Sequence, residues 1–382
     1  MKKLLGLLTI AVLAGSMLTG CSPSSDTIKI GVNLELTGPV SVYGIPERKG
    51  MELALEEINA AGGVLGKDLE FVFYDNAYDT AKAVENAIRF ATQDGVVAML
   101  GPTTSAPSLA VGPIAKQYEV VNFTPSATNA MVTMDGTQVN PWVFRGCFLD
   151  PFQGLVLANF AVTELEATRA VVMYSSSSDY STGLAESFQD QFVKNGGTVV
   201  NVSTYVDEDT DFNAILTTIA ALDFDVLVVT DYAERGGLIY NQARSTGITV
   251  PVLGPDGFDT PDFNDLAGGA ANVNDVYFVN HFSTLLEEAH VVKFINAYTA
   301  KFNEAPNALS ALAYDSVYVL AAAIEAAGSE DTKAIRDALA ATQAYVGVTG
   351  TITFNELNNP VKSAVVIKLT NGQQSSAVIV EP

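Results

Sequence analysis

The sequence predicts an α/β protein of two Rossmann-like lobes, each a mainly parallel sheet wrapped by helices. Three observations predict this. Strand-length apolar runs alternate with helically spaced segments along nearly the whole chain, the pattern of βαβ units. The alternation begins again after Pro151, which implies a second lobe resembling the first. The 382 residues, less an N-terminal leader, are too many for one hydrophobic core and suit two.

The leader comes first. Lys2 and Lys3 precede an uncharged, largely apolar run over 4–18, too short and too near the start for a comfortable membrane span. It ends in Leu18-Thr19-Gly20-Cys21, which resembles a bacterial lipobox with cleavage before Cys21. That resemblance implies a signal peptide over 1–20 and a lipid on Cys21 as the only membrane anchor. Residues 21–26, with Ser22, Pro23, Ser24 and Ser25, read as a flexible tether.

The first lobe opens with a strand at 28–34, a helix at 46–61 spaced through Met51, Leu55 and Ile58, and a stop at Gly62-Gly63. A strand at 69–75 follows. Asp79 then caps a helix carrying Ala83, Ala87 and Phe90, and a third strand at 96–100 leads to a helix near Ser105. A fourth strand spans 120–124. After Pro151 the pattern gives a helix to about 165, strands at 170–174 and 198–205, and a helix at 184–193 between them. Strands at 226–230, 250–254 and 276–280 follow, with a helix at 236–244. Helices at 287–302, 309–327 and 332–341 precede 351–354 and 363–369, which read as a terminal β-hairpin or ribbon. No segment beyond the leader presents the uninterrupted apolar run of a membrane span. No low-complexity linker divides the halves, so the lobes are expected to exchange chain near Arg145, Asn280 and Thr349. The first lobe is then 27–145 plus 281–349, and the second 146–280 plus 350–382.

Composition and motifs argue against turnover and against nucleic acid. The 43 acidic residues outnumber 20 basic ones, for a formal charge of -23, which repels polyanions and otherwise means solubility. Loss of Lys2 and Lys3 with the leader makes the mature chain more acidic still. Cys147 has no partner once Cys21 is assigned to the leader, so it reads as a packed core residue rather than a nucleophile. His281 and His290 have no cysteine near them to build a zinc site. The run 62–67 approaches a phosphate loop, but Asp68 stands where a magnesium-binding hydroxyl belongs. No Gly-x-Gly-x-x-Gly follows the first strand, and no Gly-x-Ser-x-Gly elbow is present. Asp207, Asp209 and Asp211 mimic the start of a calcium loop, yet Phe212 replaces its glycine and Thr218 its closing glutamate. Asp211 is better read as a helix cap. No catalytic residue, metal site or cofactor is expected.

A larger resemblance runs through the body of the chain. Thr37-Gly38-Pro39 with Tyr43-Gly44, Ile58-Asn59-Ala60-Ala61-Gly62-Gly63-Val64, Asp75-Asn76, Gly101-Pro102 with Ser105, Thr124-Pro125-Ser126-Ala127-Thr128, Tyr180-Ser181-Thr182-Gly183 and Gly254-Pro255-Asp256-Gly257 stand in this order. Together they resemble type I periplasmic binding proteins of the leucine, isoleucine and valine family. The resemblance implies two lobes joined by three crossovers that close on an amino acid and deliver it to an ABC permease in the cytoplasmic membrane. It also assigns residues. Ser105 matches a carboxylate-binding serine, at a helix start where the dipole favours an anion. Ser126, Ala127 and Thr128 match a loop that meets the ligand's backbone groups. Asp256 matches the acid that pairs with the ammonium, with a reach one methylene shorter than the glutamate of the best-known member. Tyr43, Tyr180 and Tyr232 match aromatic walls of the cleft. Leu309 stands where the family's leucine binder has phenylalanine, which leaves side-chain selectivity open.

Without that resemblance, Ser105 is a plain helix cap, 124–128 only a turn, and any one of the fourteen tyrosines structural. The expected function is an extracytoplasmic, lipid-anchored, monomeric receptor for an amino acid, branched-chain by resemblance, on a cell surface or in a periplasm. The alternatives are a sensory receptor of the same fold and a binder of short amides or other small carboxylates. A secreted hydrolase would need a nucleophile and base that the sequence does not supply.

Overall fold

A computed structural model describes residues 27–381. The expected signal peptide, Cys21 and the tether through residue 26 lie outside the described residues.

Each lobe is organised around one sheet. The first sheet has five parallel strands in the order Leu69–Asp75, Ile28–Leu34, Ala98–Leu100, Val121–Thr124, Val143–Arg145. Its central strands are buried on both faces, which is why they read as unbroken apolar runs. The second sheet has seven strands in the order Gln373–Val380, Ala364–Thr370, Asn274–Asn280, Val252–Gly254, Val226–Val229, Arg169–Ser175, Thr198–Tyr205. The last five of these are parallel, and the first two form an antiparallel edge. Asp79 caps Thr80–Arg89 by accepting the Ala81 and Lys82 amides. Asp211 does not cap: it accepts the Asn213 amide in a local turn one residue before the helix Asn213–Ile219 takes its first cap position at Phe212.

The chain passes between lobes between Arg145 and Asp150, between Asn280 and Ala289, and between Val361 and Ala364. The third passage lies later than the expected 349. Strands Tyr345–Gly347, Gly350–Phe354 and Pro360–Val361 form a small sheet that stays on the first lobe. Ile352 and Phe354 are buried in the first-lobe core, and the Phe354 ring meets Phe123 and Phe144 edge-on at 6.0 and 5.5 Å. Residues 351–354 and 363–369 therefore do not pair as a hairpin. Ala364–Thr370 pairs instead with Gln373–Val380, a strand beyond those expected from the sequence.

Two helices bear on the cleft, and the first differs from expectation. Ser41–Ala60 begins five residues before Pro46, which lies inside it. Pro46 lies past the first turn and forgoes the backbone bond to Val42 that another residue would make, yet the helix runs through it. The shift places Tyr43 on the helix. Ala308–Ala327 is long and apolar enough to cross a membrane by length and composition alone, although Asp315 and Glu325 interrupt its apolar run, as expected. Here it is a core helix, largely buried in the first lobe. It packs so closely on Ser41–Ala60 that a Cβ on Gly50 would stand 2.1 Å from the Ser310 carbonyl oxygen.

Buried ionic groups pin the crossovers. Asp315, on Ala308–Ala327, accepts the amides of Val348 and Thr349 and the Thr349 hydroxyl. Lys362 donates to the Thr349 hydroxyl at 2.6 Å and to the Gly146 carbonyl at 3.2 Å, so it ties the third passage to the first. Burial pulls this lysine down to about 8, against the pull of Asp315. Cys147 is fully buried beside them and its thiol is pushed up to about 12 by desolvation, which fits a packed residue.

Candidate ligand cleft

A small enclosure lies where the two lobes meet, at the carboxyl ends of the parallel strands, the usual place for a site in open α/β sheets. From the first lobe come Tyr43, Thr103, Thr104, Ser105, Ser126, Thr128 and Leu309; from the second come Tyr180, Tyr232, Asp256 and Gly257. The expected site residues are thus brought together, with one exception. Ala127 is buried but does not line the enclosure; its amide donates to the Thr124 hydroxyl and its carbonyl accepts Arg145 Nη1 at 2.8 Å.

The polar end is built on the first lobe. Strand Ala98–Leu100 ends at Gly101, whose φ of +94° and 2.2 Å clearance between an added Cβ and the Asn33 carbonyl oxygen admit only glycine. The turn delivers Thr103 and Thr104 to the N-terminus of helix Ser105–Tyr118, and both line the enclosure together with its first residue, Ser105. Thr104 occupies the cap position, so Ser105 is the first helical residue and no cap. Its buried hydroxyl accepts the Asn129 amide at 3.3 Å. The Thr128 hydroxyl is also buried and lies toward the Asp150 carboxyl, which it helps to hold ionised against burial.

Behind this loop stand two acids that sequence reasoning missed. Glu35 accepts the amides of Thr103 and Thr104 at 3.0 and 3.2 Å and the Thr104 hydroxyl at 2.6 Å. Glu47, inside Ser41–Ala60, accepts the Thr103 hydroxyl and lies against the Ser126 hydroxyl, which also meets the Thr103 carbonyl at 2.7 Å. Both are fully buried. Desolvation raises both, Glu47 the further because Glu35 adds its repulsion. Ser126 therefore turns its side chain inward and leaves main chain to face the enclosure. Nothing local marks these two glutamates: Glu47 precedes Arg48 and Lys49 in what reads as a solvated helix face, and the chain is rich in acids.

Across the gap, Asp256 opens a short turn after strand Val252–Gly254. Its carboxyl accepts the Tyr180 hydroxyl at 2.6 Å and is bonded by His281 Nε2 at 3.0 Å. His281 stacks on Phe148 with centroids 3.5 Å apart. Desolvation lowers it to about 4, so the ring is neutral and its Nε2 carries the proton that Asp256 accepts. Nearby Asp150 is raised to about 7, chiefly by burial.

The wall is aromatic. Tyr180 stacks on Tyr232 at 4.7 Å, and Tyr43 tilts against Tyr232 at 5.1 Å. With Val40, Leu184 and Leu309 they form one apolar cluster spanning both lobes. The Tyr43 hydroxyl bridges the lobes directly: it donates to the Gly257 carbonyl and accepts the Ala233 amide, each at 2.8 Å. Tyr232 is fixed from below by Asp231, which accepts its amide and a bidentate bond from Arg235.

Comparisons with known proteins agree with this architecture. The family model of the periplasmic binding proteins matches residues 27–374. A branched-chain amino acid transporter substrate binding protein from Streptococcus pneumoniae, solved with isoleucine, superposes with a TM-score of 0.88 at 40% identity, covering 93% of this chain and 100% of that one. A leucine binding protein from Thermotoga maritima gives a TM-score of 0.87 at 34% identity, covering 93% and 99%. Among curated relatives, a Leu/Ile/Val-binding protein homolog from Brucella melitensis is 31% identical over 330 residues, 86% of this chain and 87% of its own. With two α/β lobes, three passages between them and a cleft at the strand ends, the chain belongs to the type I periplasmic binding proteins of the leucine, isoleucine and valine family.

Proposed function

We propose that the protein captures a branched-chain amino acid between its lobes and hands it to an ABC importer, with no bond made or broken. The observation that carries this is the division of chemistry across the enclosure. An amino acid needs a receptor for its carboxylate, one for its ammonium and a wall for its side chain. The first lobe offers a helix N-terminus, the Ser105 hydroxyl and the buried Thr128 hydroxyl, suited to a carboxylate. The second lobe offers Asp256, oriented by Tyr180 and His281, for an ammonium. The tyrosines and Leu309 supply the apolar wall, and the relatives named for leucine, isoleucine and valine supply the side-chain class. In this reading Ala127 serves only to hold its loop. A lipid on Cys21 tethers a monomer outside the cytoplasmic membrane, and the importer is the partner.

Thermal unfolding of the purified protein against the common amino acids tests the reading, because a ligand that binds only the folded state raises its stability. Leucine, isoleucine and valine raise the melting temperature and charged amino acids do not. A folded, ligand-free preparation unmoved by all three would sink it.

A further inference from the structure

Asp259 follows Asp256 by three residues, at the end of the same turn, and it reaches the opposite lobe. Its Oδ2 accepts the Ala308 amide at 2.8 Å, and its backbone carbonyl accepts Asn307 Nδ2 at 3.1 Å. Both donors stand at the N-terminus of the first-lobe helix Ala308–Ala327, whose second residue, Leu309, lines the cleft. That helix already has its own cap. The Asn307 side chain accepts the Ser310 amide, and the Ser310 hydroxyl accepts the Asn307 amide. Asp259 is therefore not needed to start the helix. What it adds is a charge-assisted bond between lobes at the positive end of a twenty-residue helix dipole. Within its own lobe Asn280 Nδ2 holds the same carboxylate at 2.9 Å, so its direction is set before the lobes meet.

We infer that Asp259 is a closure residue: without touching ligand, it fastens the second lobe to helix Ala308–Ala327 when the lobes meet, and so sets how long a ligand is retained. This rests on the reading of the cleft as the ligand site. The short turn from Asp256 to Asp259 then makes three connections. Asp256 takes the ligand ammonium, the Gly257 carbonyl takes the Tyr43 hydroxyl, and Asp259 takes the helix. Two acids on one turn repel each other as the cleft closes, and burial together with the neighbouring Asp256 raises Asp259. A ligand cation at Asp256 offsets that repulsion, so occupancy favours the fastening. Ligand charge is thereby coupled to closure through one short turn.

The test uses the purified protein carrying one dye on each lobe, with leucine, isoleucine and valine as probes. Dissociation rates are read by stopped flow and the closed fraction by single-molecule energy transfer. Asp259→Ala releases each amino acid about tenfold faster, the loss expected for one charge-assisted bond. It also lowers the closed fraction of the ligand-free protein while the ligand-free melting temperature stays in place. Asp259→Asn, which keeps an oxygen acceptor without the charge, falls between wild type and Asp259→Ala, and it serves alone if the alanine variant does not fold. An unchanged dissociation rate and closed fraction would overturn the inference, as would a fall in melting temperature with dissociation unmoved. If the wild type binds none of the three amino acids, the ligand reading fails instead, and the closed fraction of the ligand-free protein decides about Asp259.

Discussion

The Ser105 hydroxyl accepts one weak bond from the Asn129 amide and otherwise faces the cleft, so its removal reads the carboxylate end directly. Ser105→Ala weakens binding by about 1.5 to 3 kcal/mol, the value of a hydrogen bond to a charged group, as measured by calorimetric titration. A change confined to the stability of the empty protein would return Ser105 to a structural role. His281 makes a second prediction, in pH. Its folded value of about 4 lies below the ordinary 6.5, so between those limits the unfolded chain binds a proton that the folded one refuses. Its contribution to stability is complete above pH 6.5 and declines as pH falls toward 4, by about 1.4 kcal/mol per unit. Asp150, raised to about 7, acts in the opposite sense: it favours the fold at low pH and ceases to as pH rises. The difference between wild type and His281→Gln in urea unfolding isolates the histidine, and a flat difference across pH 4 to 6.5 contradicts the assignment. At this scale the chemistry that touches the cleft was legible, because hydroxyls, an acid and tyrosines at strand ends carry a family's motif. Glu35 and Glu47 were not. A buried glutamate is spelled like an exposed one, and only the fold shows that Thr103, Thr104 and Ser126 surround them.

Elements were legible where they are buried on both faces and blurred where they are not. Strand Val226–Val229 reads without ambiguity, since all four of its residues are buried. Gln373–Val380 escaped because it is a polar-started edge strand with no buried residue, in which only the short run Ala377-Val378-Ile379-Val380 is apolar and two of those side chains are exposed. Helix Ser41–Ala60 was clipped at Pro46 because proline is favoured at a helix start, whereas here it stands in the second turn of a helix already begun. The ribbon Gly350–Phe354 was given to the wrong lobe, since alternation within a strand does not say which core its apolar face will join. Phe354→Ala tests its observed place. The ring lies between Phe123 and Phe144, and its loss costs the first lobe about 3 to 5 kcal/mol. Chemical unfolding monitored separately in each lobe should show the loss in the first lobe only; a loss in the second would restore the original assignment.

At the scale of the whole molecule, the two lobes and their order were legible from the repeated alternation, whereas the passages between them were legible only approximately. Contact across Tyr43, Asp259 and the tyrosine cluster makes this a closed arrangement. Small-angle scattering should therefore show the protein contracting when leucine is added, and Tyr43→Phe, which loses both bridging bonds, should contract less. The late third passage also bears on how the chain folds. The first lobe needs Ile352 and Phe354, and the second needs Val365, Ile367 and Leu369, so each core draws on chain far beyond the strands that begin it. Closing either lobe therefore joins segments distant in sequence, which is slow because long loops must close before the contacts that reward them can form.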